Sequence, residues 1–163
     1  MTDWLYAPWI DALVDVWRTV ECPGFQNMRA PYLMKEAQFP ESINPSDDFP
    51  IAITIPDVTS PEYSLGGVKE AIITGVTEFH ITPDLSKARM PALLLWPGAI
   101  WKAAGANLSL GGLVSHFIIA KERGIVGPIG LQYGSEAEHW GFIVNWEVKP
   151  KNLEASLTVS TGD

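Results

Sequence analysis

The stretch Trp140-Gly141-Phe142-Ile143-Val144-Asn145-Trp146-Glu147-Val148-Lys149 decides the fold class. Trp140, Phe142, Val144, Trp146 and Val148 alternate with Gly141, Ile143, Asn145, Glu147 and Lys149. Successive side chains of a strand point to opposite faces, so this period of two predicts a strand with one buried face. The tryptophans on that face are expected to pack as core, with Glu147 and Lys149 on the other side.

Upstream of that strand, Gly134-Ser135-Glu136 reads as a turn. Gly124 to Tyr133 reads as a strand interrupted by Gly and Pro, the mark of an edge or a bulge. Leu113 to Ala120, apolar on both faces, reads as another strand. Lys69 to Thr82 is rich in β-branched residues and predicts a strand with Ile73, Thr77, Phe79 and Ile81 on one face and Glu78 and His80 on the other. Pro50 to Pro56 encloses the short alternating strand Ile51-Ala52-Ile53-Thr54-Ile55.

Two helices complete the set, which makes the chain α+β. Ile10, Leu13, Val14, Trp17 and Val20 recur at helical spacing, with Asp11, Asp15 and Arg18 off the stripe. Pro8 suits the first turn, and Pro23-Gly24 stops the helix, giving a span of about residues 8–21. Asp84 or Ser86 can cap a second helix over about 84–104, with a break or kink expected near Pro97-Gly98. Residues 23 to 62 hold seven of the thirteen prolines and read as extended, turn-rich chain. One domain over 1–149 and a polar C-terminal arm over 150–163 follow.

The chain has 163 residues, 47% hydrophobic and 18% charged, which fits a packed core and excludes disorder. The longest apolar run, Met90 to Trp101, contains Pro91 and Pro97 and falls short of a spanning helix, so no membrane is expected. The opening Met-Thr-Asp-Trp lacks the basic-then-apolar pattern of a signal peptide. Cys22 is the single cysteine, which excludes an internal disulfide and points to a reducing compartment. Net charge is −8; residues up to Glu62 hold ten acids and three bases, or −7. No Lys/Arg cluster exists to hold nucleic acid.

Catalytic patterns are missing from the sequence. His80, His116 and His139 fall on or beside predicted strands, and with Glu78, Glu136 and Glu138 supply metal-ligand types without metal-ligand spacing. Neither a nucleophile elbow nor a His near Cys22 in sequence is present. Gly124-x-x-Gly127-x-x-Gly130 lies within a strand and opens no helix, so it is no phosphate loop. The expectation is a non-enzyme without cofactor, metal or catalytic residues. Trp4 and Trp9, at the start of the first helix, are the candidates for an interface with another chain.

The order of pieces resembles the tail terminator (tail completion) proteins of long-tailed bacteriophages over roughly residues 9 to 149. The resemblance rests on an amphipathic N-terminal helix, then Phe39-Pro40-Glu41-Ser42-Ile43 and Asp48-Phe49-Pro50-Ile51-Ala52-Ile53. Phe79-His80-Ile81-Thr82-Pro83-Asp84-Leu85, a helix with Ala88, Met90 and Pro91, Ile129-Gly130-Leu131-Gln132-Tyr133-Gly134 and the final strand continue it. It implies a mostly antiparallel sheet of four to six strands with two helices packed on one face. It further implies a homo-oligomeric ring, typically of six subunits, in the virion at the head–tail interface. Such a ring caps the head-proximal end of the tail tube, ends tube growth and meets a head-completion or neck protein. DNA crosses its lumen only transiently, which an acidic wall would favour. The loop 57–68, with Tyr63 and Leu65, and the arm 150–163, with Leu153 and Leu157, are the natural subunit-bridging segments. The alternatives are another neck or tail-tube component, or a small-molecule-binding α+β domain with Trp140 and Trp146 lining its pocket. A tube protein should open with strands, whereas this chain opens with a helix.

Overall fold

The computed structural model describes residues 8–21, 32–33, 50–56, 72–83, 89–132 and 138–150. Six strands form one sheet: β1 (Tyr32–Leu33), β2 (Ile51–Pro56), β3 (Ile73–Thr82), β4 (Val114–Ile119), β5 (Ile125–Leu131) and β6 (His139–Pro150). β1 runs parallel to β2, and every other pairing is antiparallel. The α+β fold implied by the resemblance is therefore present.

The alternating stretch is the centre of this sheet. β3 pairs with β6 from Ile73↔Val148 to Thr82↔Trp140. Since β3 takes one edge of β6 along most of its length, β4 and β5 must share the other. β4 pairs with the later half, Ile119↔Trp146 to Val114↔Pro150, and β5 with the earlier half, Leu131↔His139 to Ile125↔Val144. Between them Ala120 to Gly124 loops out opposite Asn145 alone. The Ala120 N–H donates to the Asn145 carbonyl (2.8 Å), and the Asn145 N–H donates to the Gly124 carbonyl (2.7 Å). The Asn145 side-chain amide also donates to the Arg123 carbonyl (2.6 Å), which holds Arg123 at φ 51°. The expected Gly/Pro interruption of β5 is a register shift between Val126 and Ile129, where the Gly127–Pro128 peptide is cis.

One face of the sheet carries the helices. α1 (Pro8–Val16) tightens into a 3₁₀ turn (Trp17–Thr19), and the Thr19 hydroxyl donates to the Val16 carbonyl (2.6 Å). Val20 is already extended, so the helix ends short of the expected residue 21. Pro23-Gly24 lies outside the described residues. The second helix is two pieces, α2 (Met90–Leu93) and α3 (Trp96–Gly105). The break falls at Leu94-Leu95 and not at Pro97-Gly98. Pro91 and Pro97 each sit in the first turn of their helix, where a missing N–H costs nothing, so each proline opens a helix instead of kinking one. The expected start over 84–88 lies outside the described residues.

Trp17 joins the layers. Its ring meets Phe79 edge-on at 5.2 Å between centroids and Phe117 at 5.8 Å, while Trp96 of α3 reaches Phe79 at 6.4 Å. Around them pack Ile10, Leu13, Ile100, Phe142, Val144 and Val148. The Trp146 indole packs against Gly75, where any Cβ would collide with the ring. Its Nε1–H donates to the Thr77 hydroxyl (3.1 Å), which in turn bonds the Thr54 hydroxyl (3.0 Å). This chain satisfies the polar atoms that three adjacent strands bury on the core face. Trp140, expected beside Trp146 in the core, is only half-buried.

Candidate functional site

The face of the sheet away from the helices is not a wetted surface throughout. Ile51 and Ile53, in register with His80 and Glu78, are buried there. His80, Thr82, Leu131 and His139 are buried as well. Alternation on β3 places Glu78 and His80 on this face, as the sequence predicts, because Phe79 between them enters the core.

A register shift between His80 and Thr82 inserts one extra residue, Ile81, into β3. Such bulges re-aim neighbouring side chains. Here the result is a contact between two imidazoles from different strands. His80 Nδ1 lies 3.1 Å from His139 Nδ1, with ring centroids 5.3 Å apart at 76°. On its other side, His80 Nε2 lies 3.0 Å from Glu78 Oε2, a carboxylate still 26% exposed. The chemistry assigns the protons when both rings are neutral. An ionised Glu78 only accepts, so His80 Nε2–H donates to it and leaves His80 Nδ1 as an acceptor. His139 Nδ1–H therefore donates to His80. Glu78, His80 and His139 form one directed hydrogen-bond chain from the rim of the sheet to a fully buried ring.

The third histidine stands apart. His116 on β4 approaches Glu147 of β6 at 4.0 Å. Thus two of the three histidines converge, and Glu78 is the acid that joins them. Glu138 is exposed beside Gly130, and Glu136 lies outside the described residues. Among the described residues no group of three His, Cys, Asp or Glu side chains could hold a metal ion. The pairing of β3 with β6 was the missing information; Glu78-x-His80 was legible on one strand, but not its neighbour 59 residues away.

Truncating this chain has a defined expected cost. His139→Ala deletes a buried imidazole and its hydrogen bond to His80, leaving a cavity between β3 and β6, so stability should fall by about 2–3 kcal/mol. Glu78→Gln, at the partly exposed end, should cost less than half as much. Urea titrations of the two variants against the parent chain check both values.

Described residues also line two concave sites elsewhere. A cleft of about 830 Å³ opens where Pro56, Gly75 and Trp146 meet the Ala120–Gly124 excursion, with Arg123 and Asn145 on its wall. Among the described residues its lining includes neither His nor Cys, and its acid is Glu122. A smaller groove of about 370 Å³ lies between the 3₁₀ turn and α3.

The interface candidates divide. Trp9 is 3% exposed and belongs to the core, so it offers no surface to a partner. It continues the helical stripe Trp9, Leu13, Val16 and Val20, a spacing that points it inward with the others. Trp4, Tyr63, Leu65, Leu153 and Leu157 lie outside the described residues, as do both arms. Among the described residues the large apolar side chains that are exposed are ones the sequence reading passed over: Ile72, Leu94, Leu95, Trp101, Leu108 and Leu113, between 42% and 57% exposed. Nothing in the sequence separates Leu94, Leu95 and Trp101 from the buried Leu93 and Ile100 of the same acid-free stretch. No helix among the described residues is long and apolar enough to cross a membrane.

Neither a protein-family model nor a curated protein sequence matches this chain.

Proposed function

We propose that this chain is an assembly subunit, a ring-forming tail terminator of a long-tailed bacteriophage. The observation that carries the assembly reading is the set of exposed large apolar side chains between residues 94 and 113, namely Leu94, Leu95, Trp101, Leu108 and Leu113. Several large apolar side chains left exposed in one stretch of chain support a contact surface for another chain. Glu78, His80 and His139 are hydrogen-bonded in sequence across β3 and β6, an arrangement that ties the two strands together. The tail-terminator assignment rests on the order of motifs from residue 9 to 149. The antiparallel sheet with helices on one face is the architecture that this resemblance implies.

In this reading the ring caps the head-proximal end of the tail tube, stops its growth and presents its other face to a neck protein. Its net charge of −8 lets DNA cross the lumen without being held.

Native mass spectrometry and electron microscopy of the purified chain test this function. The expected result is an annular oligomer that binds one end of tubes made from the cognate tail tube protein and fixes their length. A monomer that leaves tube growth unchanged would refute it.

The 830 Å³ cleft favours one competing reading, a small-molecule site with Trp146 at its floor. Saturable quenching of tryptophan fluorescence by a small aromatic acid, lost in Arg123→Ala, would select that reading instead.

A further inference from the structure

His80 and His139 meet in an apolar setting. His80 is 0% exposed and His139 2%. In the ladders around them β2 contributes the buried Ile51 and Ile53, β5 the buried Leu131, and β6 Gly141, which has no side chain. β2 and β5 carry no acidic or basic residue, and β3 carries only Glu78 besides His80 itself. The charges of β6 are Glu147 and Lys149, six and eight residues from Gly141 and so roughly 20 Å or more along the strand. They stand next to His116 of β4. Glu138, just before β6, lies beside Gly130. The helices pack on the opposite face of the sheet.

A hydrogen bond joins a proton on one atom to a lone pair on the other. The 3.1 Å contact between the two Nδ1 atoms therefore holds one proton, never two. This is true whatever else the rings bond. One proton added to the neutral pair is tolerated, because either ring can become an imidazolium while its partner keeps a lone pair at Nδ1. Glu78, 3.0 Å from His80 Nε2, supplies the counter-charge. A second proton is not tolerated. Two imidazolium rings would set N–H against N–H and bury two like charges at contact distance, and β2, β3 and β5 hold no second carboxylate.

We propose that the His80–His139 contact is an acid-released latch between β3 and β6, closed while the two rings share one Nδ1 proton and open once both are imidazolium. The extra residue at Ile81 belongs to the same device, since it sets His80 against His139. The latch lies at the end of β6 where β5 also pairs, through Leu131↔His139, so opening it loosens both strands that flank β6 there. It sits within the sheet of one chain and is independent of the assembly reading.

The test compares the full wild-type chain with His139→Asn. The asparagine amide stands near the Nδ1 position, does not titrate, and turns either its NH₂ or its oxygen toward His80. An unfolded chain protonates both histidines below about pH 6.5, whereas the closed pair takes one proton fewer. The unfolded state then binds more protons, so stability falls as pH falls. Urea titrations between about pH 5 and 8 should show the wild type losing, beyond the loss of the variant, close to tenfold in its folding equilibrium constant for each pH unit below about 6. Histidine ¹⁵N spectra of the wild type read the latch directly and need no variant. Near neutral pH one of the two Nδ1 atoms should be protonated and the other bare. Near pH 5 the folded chain should hold at most one of these two rings as imidazolium. A wild-type slope equal to that of a folded His139→Asn chain overturns the latch, and so does a folded wild-type chain with both rings doubly protonated.

Discussion

Gly141→Ala should destabilise this protein by about 3 kcal/mol, a large loss for a single methyl group. Gly141 lies opposite His80 in the β3–β6 ladder, and a Cβ built on it would overlap the backbone carbonyl of Phe79. The Phe79 carbonyl belongs to the main chain and the main chain fixes where the Cβ stands, so no rotamer change relieves the overlap. The two central strands would have to separate beside the bulge that brings His80 to His139. At about 2–4 °C per kcal/mol for a chain of this size, the melting temperature should fall by roughly 6–12 °C. Gly98→Ala is the control: nothing lies within 4 Å of its Cβ position, and the substitution should add about 0.5–1 kcal/mol. Thermal unfolding followed by circular dichroism separates the two outcomes. A Gly141→Ala chain as stable as the parent would show that the ladder can open there freely.

Trp17→Ala should cost still more, about 3–5 kcal/mol, the range for emptying a large aromatic site. The ring is fully buried and is the one side chain of the 3₁₀ turn that touches both Phe79 of β3 and Phe117 of β4. Its loss uncouples the N-terminal helical segment from the sheet. Trp17→Phe should be markedly milder. It keeps an aromatic ring against Phe79 and also deletes a buried indole N–H that no described group accepts. Guanidinium midpoints, with an unchanged denaturant slope, give both values. An alanine variant within 1 kcal/mol of the phenylalanine variant would contradict the packing role.

These expectations draw unequally on sequence and structure. The alternation of Trp140 to Lys149 predicted a strand with one buried face, and that strand is β6, the centre of the sheet. Ile73, Thr77, Phe79 and Ile81 were assigned to one face of β3 for the same reason, and they occupy it. Local periodicity reports the direction of each side chain relative to its own backbone, and that information is complete within one element. The helix break was misplaced because a proline inside an apolar run looks the same whether it kinks a helix or opens one. Trp9 was misread for a related reason. As an isolated aromatic near a helix start it looked available, but its spacing from Leu13 and Val16 already placed it on the buried stripe.

The candidate site was half legible. Glu78 and His80 are two apart on one strand, so their shared face could be read directly. Their junction with His139 required the register of β3 on β6, including the extra residue at Ile81. Register depends on long-range pairing energy and carries little local signal. The exposed Leu94, Leu95 and Trp101 were hidden differently. Apolar residues at helical spacing normally face a core, and nothing in the sequence told these apart from Ile100 and Leu93.

By itself, then, the sequence determined that Trp140 to Lys149 is a strand with one face turned inward, that helices and strands share a single core, and that no catalytic motif is present. Only the tertiary structure decided that this strand is shared by three neighbours, that His80 and His139 meet across it, and that one side of the second helix is left uncovered. The physical reason is the range of the forces involved. Backbone periodicity is set within a few residues, whereas partner choice and exposure are set by which surfaces are left over once every other element has packed.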